Sequence, residues 1–525
     1  MLFFLLSLLP LFLLIFFLGI IKTSPKFAAF ISLLSAIIIA VLFFNQNLFL
    51  ISMSLLEAVT FTLWPMLIVL FAALFSYNFI IETERINLIR KFIFSFSNEK
   101  SILILILLWG VGNLLEGIAG YGTPVVIPAA IMITLGFNPF FSAFICLLAN
   151  TVSSAFGAVG IPAITISIIT DLDPAITSAF TAFQLLPIIL ITPFILVLLT
   201  EKSLKKALTY LPETLAAAFG YSISFLLTAF FLGPELPTIV GSLVVIALVI
   251  IVSSLRKKTR TDALDKSNAD ESQKISIKET INAFSVYFFV LIFITLVSPL
   301  FPEIKKILDS FNSSLKFYPG EEGKTITFYW LTNPGVLILL AVFLVAFIDT
   351  LKRKGKKSVF AIASCKTFKA IASTSITLAL LVSFATIMRY SGMIKILAEQ
   401  ISIITGILYP LFSPLVGALG AFITGSSISA CILFGEFQKH VAINLGVNEY
   451  WLISANLAGA TVGKILSPYN IAVALTSVGL SGQPQGYESK LLHKSFPWCM
   501  AFLIILGLLT FFFSDISGII LSVVK

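Results

Sequence analysis

From Leu2 to Ile21 the chain runs without one charged side chain, and Phe27–Phe44 and Trp498–Phe513 do the same. A run of about 20 apolar residues is the length an α-helix needs to cross a hydrocarbon core. Backbone amides have no water to bond there, so each run must satisfy its own hydrogen bonds, as a helix does. Only 11% of the 525 residues are charged, against roughly 25% in soluble domains. The expected fold is therefore an all-α polytopic membrane protein, with roughly twelve to fourteen transmembrane or half-membrane helices in a lipid bilayer. A net charge of +9 would suggest nucleic acid for a soluble chain. Here the basic residues concentrate in loops and report orientation, so no nucleic-acid partner is expected.

The first run reads as an uncleaved span, because no basic residue precedes it and no small-x-small cleavage site closes it. Cys146, Cys365, Cys431 and Cys499 are scattered, and the histidines are His440 and His493. That spacing argues against a disulfide framework and a zinc site. Lys352, Arg353, Lys354, Lys356, Lys357, Lys366 and Lys369 crowd the segment 349–370, which the positive-inside rule places in the cytoplasm. Spans at about 207–232, 237–255, 281–301 and 327–348 then put Lys202, Lys205, Lys206 and Arg256 on the same side, with the N-terminus outside. The polar stretch 254–280 reads as a flexible cytoplasmic linker. It divides an N-terminal membrane half, 1–253, from a C-terminal half, 281–525.

One interrupted pattern occurs in both halves. Ala149-Asn150, Gly157 and Pro162 fit Ala-Asn-x6-Gly-x4-Pro, and so do Ala455-Asn456, Gly463 and Pro468. Upstream, Leu135-Gly136-Phe137-Asn138 echoes Leu445-Gly446-Val447-Asn448. Further upstream lie glycine-rich breaks, Glu116-Gly117-Ile118-Ala119-Gly120-Tyr121-Gly122 and Gly425-Ser426-Ser427. Irregular backbone at membrane depth is tolerated where protein or a water-filled cavity satisfies it. Interrupted helices in matching places of two halves are the outline of a secondary transporter, with its site near the midplane.

Several polar residues stand in these apolar surroundings. Asn150, Ser153, Ser154 and Gly157 fall on one face if the segment is helical, as do Asn456, Gly459, Ala460 and Gly463. Close packing through small residues is the alternative for the glycines. Lys464 is the one charge between Trp451 and Gly482. A charge at the bilayer centre costs about 2.5–3.5 kcal/mol on insertion scales, so one that persists is paired or functional; snorkelling to the interface is the alternative. An ammonium beside an unwound helix attracts an anion. Glu116 is the matching acid, since desolvation favours a carboxyl's proton-bound form; its alternative is a cap or an ion pair. Arg389 and Glu436 are further deep candidates, though either would also fit a helix end. Gln184 is an uncharged polar group in a span, and Lys439 and His440 look like a solvated rim.

Together these segments resemble the bacterial lactate permease family. The resemblance is carried by Leu115-Glu116-Gly117, Ala119-Gly120, Gly122-Thr123-Pro124-Val125 and Leu135-Gly136-Phe137-Asn138-Pro139. It continues in Cys146-Leu147, Ala149-Asn150-Thr151 and Ala155-Phe156-Gly157-Ala158, with Gly160-Ile161-Pro162. Gly233-Pro234-Glu235-Leu236-Pro237, Tyr390-Ser391-Gly392, Gly463-Lys464, Ser467-Pro468 and Ile471-Ala472-Val473-Ala474 complete it. It implies two inverted repeats with re-entrant broken helices in a bacterial cytoplasmic (inner) membrane. The implied activity is import of L-lactate or a related 2-hydroxymonocarboxylate, such as glycolate or D-lactate, by proton symport. The implied partners are the small carboxylate anion and protons, with no cofactor. Substrate contacts are expected from Lys464, Asn150, Asn456, Gly120, Gly122, Thr123, Ser426, Ser427 and Arg389, and proton coupling from Glu116 and Glu436. Five positions depart from the family's usual residues. Ser427 replaces an acid, Cys431 replaces an asparagine, Phe183 replaces an arginine, Arg389 stands where an asparagine is usual, and Glu436 where a small polar group is. A sodium-coupled carrier of another small carboxylate is the alternative reading, and a membrane-embedded enzyme is the rival from a different class. Carriers of this general architecture are often dimers, so a homodimer is one candidate arrangement, and the sequence leaves the oligomeric state open.

Overall fold

The computed structural model describes residues 2–85, 99–261, 276–319, 325–352, 358–481 and 486–514, apart from Lys22 and Tyr121, with a few isolated positions besides. Among these, eleven helices are long and apolar enough to cross a membrane, from Pro25–Phe43 to Tyr487–Phe512. The helical expectation holds with one local departure. Asn312–Lys316 pairs antiparallel with Thr325–Tyr329 in a two-stranded ribbon. Thr325-Ile326-Thr327-Phe328-Tyr329 alternates, burying Ile326 and Phe328, and its β-branched and aromatic residues suit a half-buried strand. The span expected at 327–348 consequently begins at Pro334, where proline fits a first helical turn. The span expected at 281–301 is instead two short helices, Ile277–Ala283 and Ser285–Leu296.

Two loops also differ from expectation. The basic segment at 349–370 is largely helical: Pro334–Lys352 enters it and Ser358–Tyr390 leaves it. Residues 353–357 lie outside the described residues, and Lys366 pairs with Glu82 from within the second of these helices. The helix Pro237–Thr261 reaches into the expected linker, of which 262–275 lie outside the described residues.

The order of elements that builds the centre occurs twice. In the first half Lys100–Ile118 turns back as Thr123–Thr134, and a helix broken in the middle, Pro139–Ala149 and Gly157–Thr170, follows. In the second half Tyr409–Thr424 turns back as Ser427–Leu445, and the broken helix is Glu449–Gly463 with Pro468–Ser477. The Leu-Gly-x-Asn echo is the connection between hairpin and broken helix. Gly136 and Gly446 end one helix in left-handed backbone, φ 78° and 66°, which glycine adopts without a Cβ penalty. Asn138 and Asn448 then cap the next helix by accepting from the N–H groups of Phe141 and Trp451.

Side-chain contacts fix the paths. The Lys100 ammonium lies 5.5 Å from the Phe137 ring centroid, so both feet of the first hairpin stand together. Tyr409 donates to Gln438 Oε1 at 2.8 Å, bringing the feet of the second together. Asp173, just past the first broken helix, donates its N–H to the hydroxyl of Tyr450, at the start of the second. The ring centroid of Phe140, at the start of the first, lies 5.9 Å from that of Tyr487, beyond the end of the second, with the rings tilted at 41°. The Lys100–Ile118 helix is buried along its length, so the core lies where the two hairpins and two broken helices meet.

Candidate functional site

The hairpin tips and helix breaks converge on a cavity of about 480 Å³ whose walls include Glu116, Gly120, Gly122, Ser426, Ser427 and Lys464. Gly120 and Gly122 reverse the first hairpin at φ 61° and 80°, and Gly425 reverses the second at φ 73°. Side chains rarely adopt that region. Ser426 then caps its helix by accepting from the Ser429 N–H. Each reversal brings the N-terminal end of a helix to the cavity wall, where first-turn N–H groups favour an anion. Thr123 opens the first of these helices, and its side chain lies outside the described residues.

Lys464 and Glu116 face each other across this junction. The Lys464 ammonium donates to Glu116 Oε1 at 3.1 Å, and the side chains are only 14% and 3% exposed. Neither the snorkelling lysine nor the helix-capping glutamate describes the arrangement: each half contributes one member of a buried ion pair. Lys464 opens a tight turn, Lys464–Leu466, between the two pieces of its broken helix. Asn470 fastens that turn to the second hairpin tip, donating from Nδ2 to the carbonyls of Lys464 and Gly425, both at 3.1 Å. Sequence reasoning missed Asn470; its one signal was its place just after Ser467-Pro468.

Glu116 Oε2, Ser154 Oγ and Ser427 Oγ are buried without a hydrogen-bond partner among the described residues, and all three residues line the cavity. Buried polar atoms are almost always bonded, so three unpaired ones around one cavity mark a place for a polar ligand. Gly157 shares the wall; a Cβ there would stand 2.7 Å from Glu116 Oε1. Lys26 also lines the cavity, leaving it with an excess of positive charge. Among the described residues no group of three His, Cys, Asp or Glu side chains could hold a metal ion.

Asn150 and Asn456 are not among the residues lining the cavity. Asn150 accepts from Ser153 Oγ at 3.2 Å. Asn456 accepts from Gln438 Nε2 at 3.3 Å, inside a network that includes Tyr409 and Ser413. The expected helical face from Asn150 to Gly157 does not form. The helix ends at Ala149, a tight turn spans Ser153–Phe156, and Ala158 and Val159 follow with φ of 45° and 57°. Non-glycine residues held there store strain. The matching face in the second half is a packing seam. A Cβ on Gly459 would lie 1.8 Å from the Pro414 carbonyl oxygen, and one on Gly463 would lie 2.2 Å from that of Ala418. Gln184 is structural as well, donating to the Trp451 carbonyl at 2.7 Å.

Arg389 and Glu436 form a separate pair, Nε to Oε1 at 3.3 Å. They line a second cavity of about 460 Å³ together with Glu57, Asp171 and Glu235. Arg389 occupies the last turn of Ser358–Tyr390, and Glu57 accepts from the Tyr390 hydroxyl at 2.6 Å. Glu235 lies between two spans, and burial pushes its carboxyl up to about 7 against the pull of Lys305. Sequence reasoning missed Glu57, although it is the one charge between Phe27 and Ile81 and so carried the same signal as Lys464; Glu235 sits in the turn Gly233-Pro234-Glu235-Leu236-Pro237, where an acid is unremarkable. Lys439 and His440 are half-buried rather than a solvated rim; Lys439 donates to the Thr170 carbonyl.

Two hairpins and two broken helices around a buried ion pair and a polar cavity, in a bundle of membrane-length helices, define a membrane transporter rather than an enzyme. The fold is that of MtrF from Neisseria gonorrhoeae, with a TM-score of 0.52, 94% of this chain and 96% of that one covered, and 12% identity. Residues 3–517 match the L-lactate permease family, and the chain belongs to it. It is 35% identical to an L-lactate permease of Streptococcus iniae, over 85% of this chain and 92% of that protein. It is 30% identical to an L-lactate permease of Bacillus subtilis, with 91% and 89% covered. With the glycolate permease GlcA of Escherichia coli it shares 27% identity, over 96% and 94%.

Proposed function

We propose that this transporter imports L-lactate, or a related small 2-hydroxymonocarboxylate such as glycolate, together with a proton across a bacterial cytoplasmic membrane. The observation that carries this reading is the Lys464–Glu116 pair on the wall of a polar cavity. A substrate carboxylate and the Glu116 carboxylate compete for one ammonium. When Glu116 takes a proton, Lys464 is released and the substrate carboxylate replaces it. The loaded site then carries the same net charge as the empty one, so neither proton nor anion crosses as an unpaired buried charge. First-turn N–H groups of the two reversed helices add to the pull on the carboxylate. The Ser154 and Ser427 hydroxyls offer bonds to the 2-hydroxyl. Asn150 and Asn456 act from behind this wall by holding the broken helices. The names of the relatives, lactate and glycolate permeases, fit this chemistry.

The two halves are inferred to be inverted repeats. Supporting this, the end of the first broken helix meets the start of the second, and its start lies beside the residues beyond the second's end. The charge of Lys202, Lys205, Lys206 and Arg256 supports an outside N-terminus. The test is Glu116→Gln in proteoliposomes. Proton-driven accumulation of labelled L-lactate is expected to vanish while lactate–lactate exchange continues. Accumulation that keeps the wild-type response to a protonophore would remove Glu116 from coupling. Accumulation driven by sodium alone would overturn the proton.

A further inference from the structure

Three helices line both cavities. On Gly157–Thr170, Pro162 faces the first cavity and Ile164 the second; on Ser358–Tyr390, Leu378 and Val382 divide in the same way; on Ser427–Leu445, Ser429 and Ile432 do. At 1.5 Å per residue these pairs lie about 3–6 Å apart along each helix. The partition between the cavities is therefore about one helical turn thick.

The second cavity repeats the cation–carboxylate pair of the first with different residues, in a lining that is otherwise acidic. A cation, Arg389, is held by a carboxylate from another helix, Glu436. A guanidinium is planar and presents paired donors that match a carboxylate, and it loses little hydration when buried. The Arg389 guanidinium lies 5.0 Å from the Tyr390 ring centroid, which limits its orientation and leaves a 21% exposed side chain at the cavity. Glu436 also has a second place to go. His440 Nε2 stands 3.9 Å from Glu436 Oε2, one turn further along the same helix.

We propose that Arg389 is a second binding station for the small carboxylate, on the same route as Lys464. The assignment rests on the substrate reading given above. The incoming carboxylate displaces Glu436 from the guanidinium, and Glu436 turns toward His440 Nε2, one turn along its own helix. The other charged groups facing this exchange are Glu57, engaged by Tyr390, together with Asp171 and Glu235. Lys395 and Lys439 act on His440 from the neighbouring helix and from its own. Arg389 is the sole cation among the described residues lining this cavity. Burial that keeps Glu235 near 7 lowers the negative charge the anion meets at neutral pH.

The test is equilibrium binding of radiolabelled L-lactate to the purified full-length protein, with size-exclusion profiles confirming that each variant is folded. Two lactates per wild-type chain are expected, falling to one in Arg389→Ala and to one in Lys464→Ala. Glu436→Gln, which removes the internal competitor, is expected to keep both and tighten one by about fivefold. Should Arg389→Ala not fold, Glu436→Gln decides, and unchanged affinities overturn the proposal. So does one lactate per chain in a wild type that transports lactate, or two that persist in folded Arg389→Ala. A wild type that neither binds nor transports lactate overturns the substrate reading itself.

Discussion

Gly157 and Gly463 hold the same place in the two copies of Ala-Asn-x6-Gly-x4-Pro, yet they meet different neighbours. Beside Gly157 lies the carboxylate of Glu116, 2.7 Å from where a Cβ would stand; beside Gly463 lies the backbone oxygen of Ala418, at 2.2 Å. The first glycine makes room for a functional side chain, and the second lets two helix backbones touch. The breaks differ in the same way. In the first copy Ala158 and Val159 are forced into left-handed backbone before Pro162. In the second, one tight turn carries Lys464 and passes directly to Pro468. The repeat thus marks where the chain opens, not what stands in the opening. An acid from one half and a base from the other can pair because the copies diverged there.

The contribution of the second copy is broken most severely at Lys464. Lys464→Met would strand a buried carboxylate, and breaking a buried pair by removing one partner costs about 3–5 kcal/mol. We expect a steep loss of thermal stability in detergent and uptake at background. Adding Glu116→Gln should restore stability without restoring uptake; a double variant as unstable as the single one would mean that Lys464 is held by something other than its charge. Gly463→Ala comes next. The atom in its way is backbone that cannot turn aside, so overpacking of about 1–3 kcal/mol is expected, read as a lowered unfolding temperature with transport falling in proportion to folded protein.

Much of this arrangement was legible beforehand, for physical reasons. Apolar runs without charge allow little but helices, and glycines beside proline in such runs force breaks; both expectations match the structure. Glu116 and Lys464 stood out because a charge in apolar sequence needs a reason, though nothing in the sequence said that each was the other's partner. That contact joins residues from opposite halves and exists only in three dimensions. Asn150 and Asn456 stood out for the same reason as Lys464, but each amide oxygen accepts from a neighbour, Ser153 or Gln438, so polarity alone does not distinguish lining from packing, even with Asn456 Nδ2 left without a partner among the described residues. Arg389 and Glu436 were legible as deep charges, but their place in a second cavity was not, because cavity membership depends on which helices adjoin.

Gly157→Ala sharpens the comparison from the other side. The obstacle is the end of a flexible side chain, so Glu116 can move and the fold should survive, with a stability change below about 1 kcal/mol. Moving Glu116 disturbs its 3.1 Å contact with Lys464, so proton-driven uptake should fall severalfold while the unfolding temperature stays near wild type. Equal losses of stability in Gly157→Ala and Gly463→Ala would erase the distinction between the two copies.

The smallest effects are expected at the asparagines, and they should be unequal. Asn456 is fully buried and bonds Gln438 across helices, so Asn456→Ala should cost about 1 kcal/mol, the net worth of one such bond with its partner left behind. Asn150 is bonded within its own turn by Ser153, where a local rearrangement replaces what is lost. Asn150→Ala should therefore change stability by less than about 0.5 kcal/mol. Lactate affinity, measured on the same two proteins, separates positioning from direct contact. If the asparagines act through the helices that carry them, both variants keep affinity near the wild-type value. A tenfold weaker affinity in folded Asn150→Ala would instead put that amide on the substrate, and the first cavity would have to open past Ser154 to reach it.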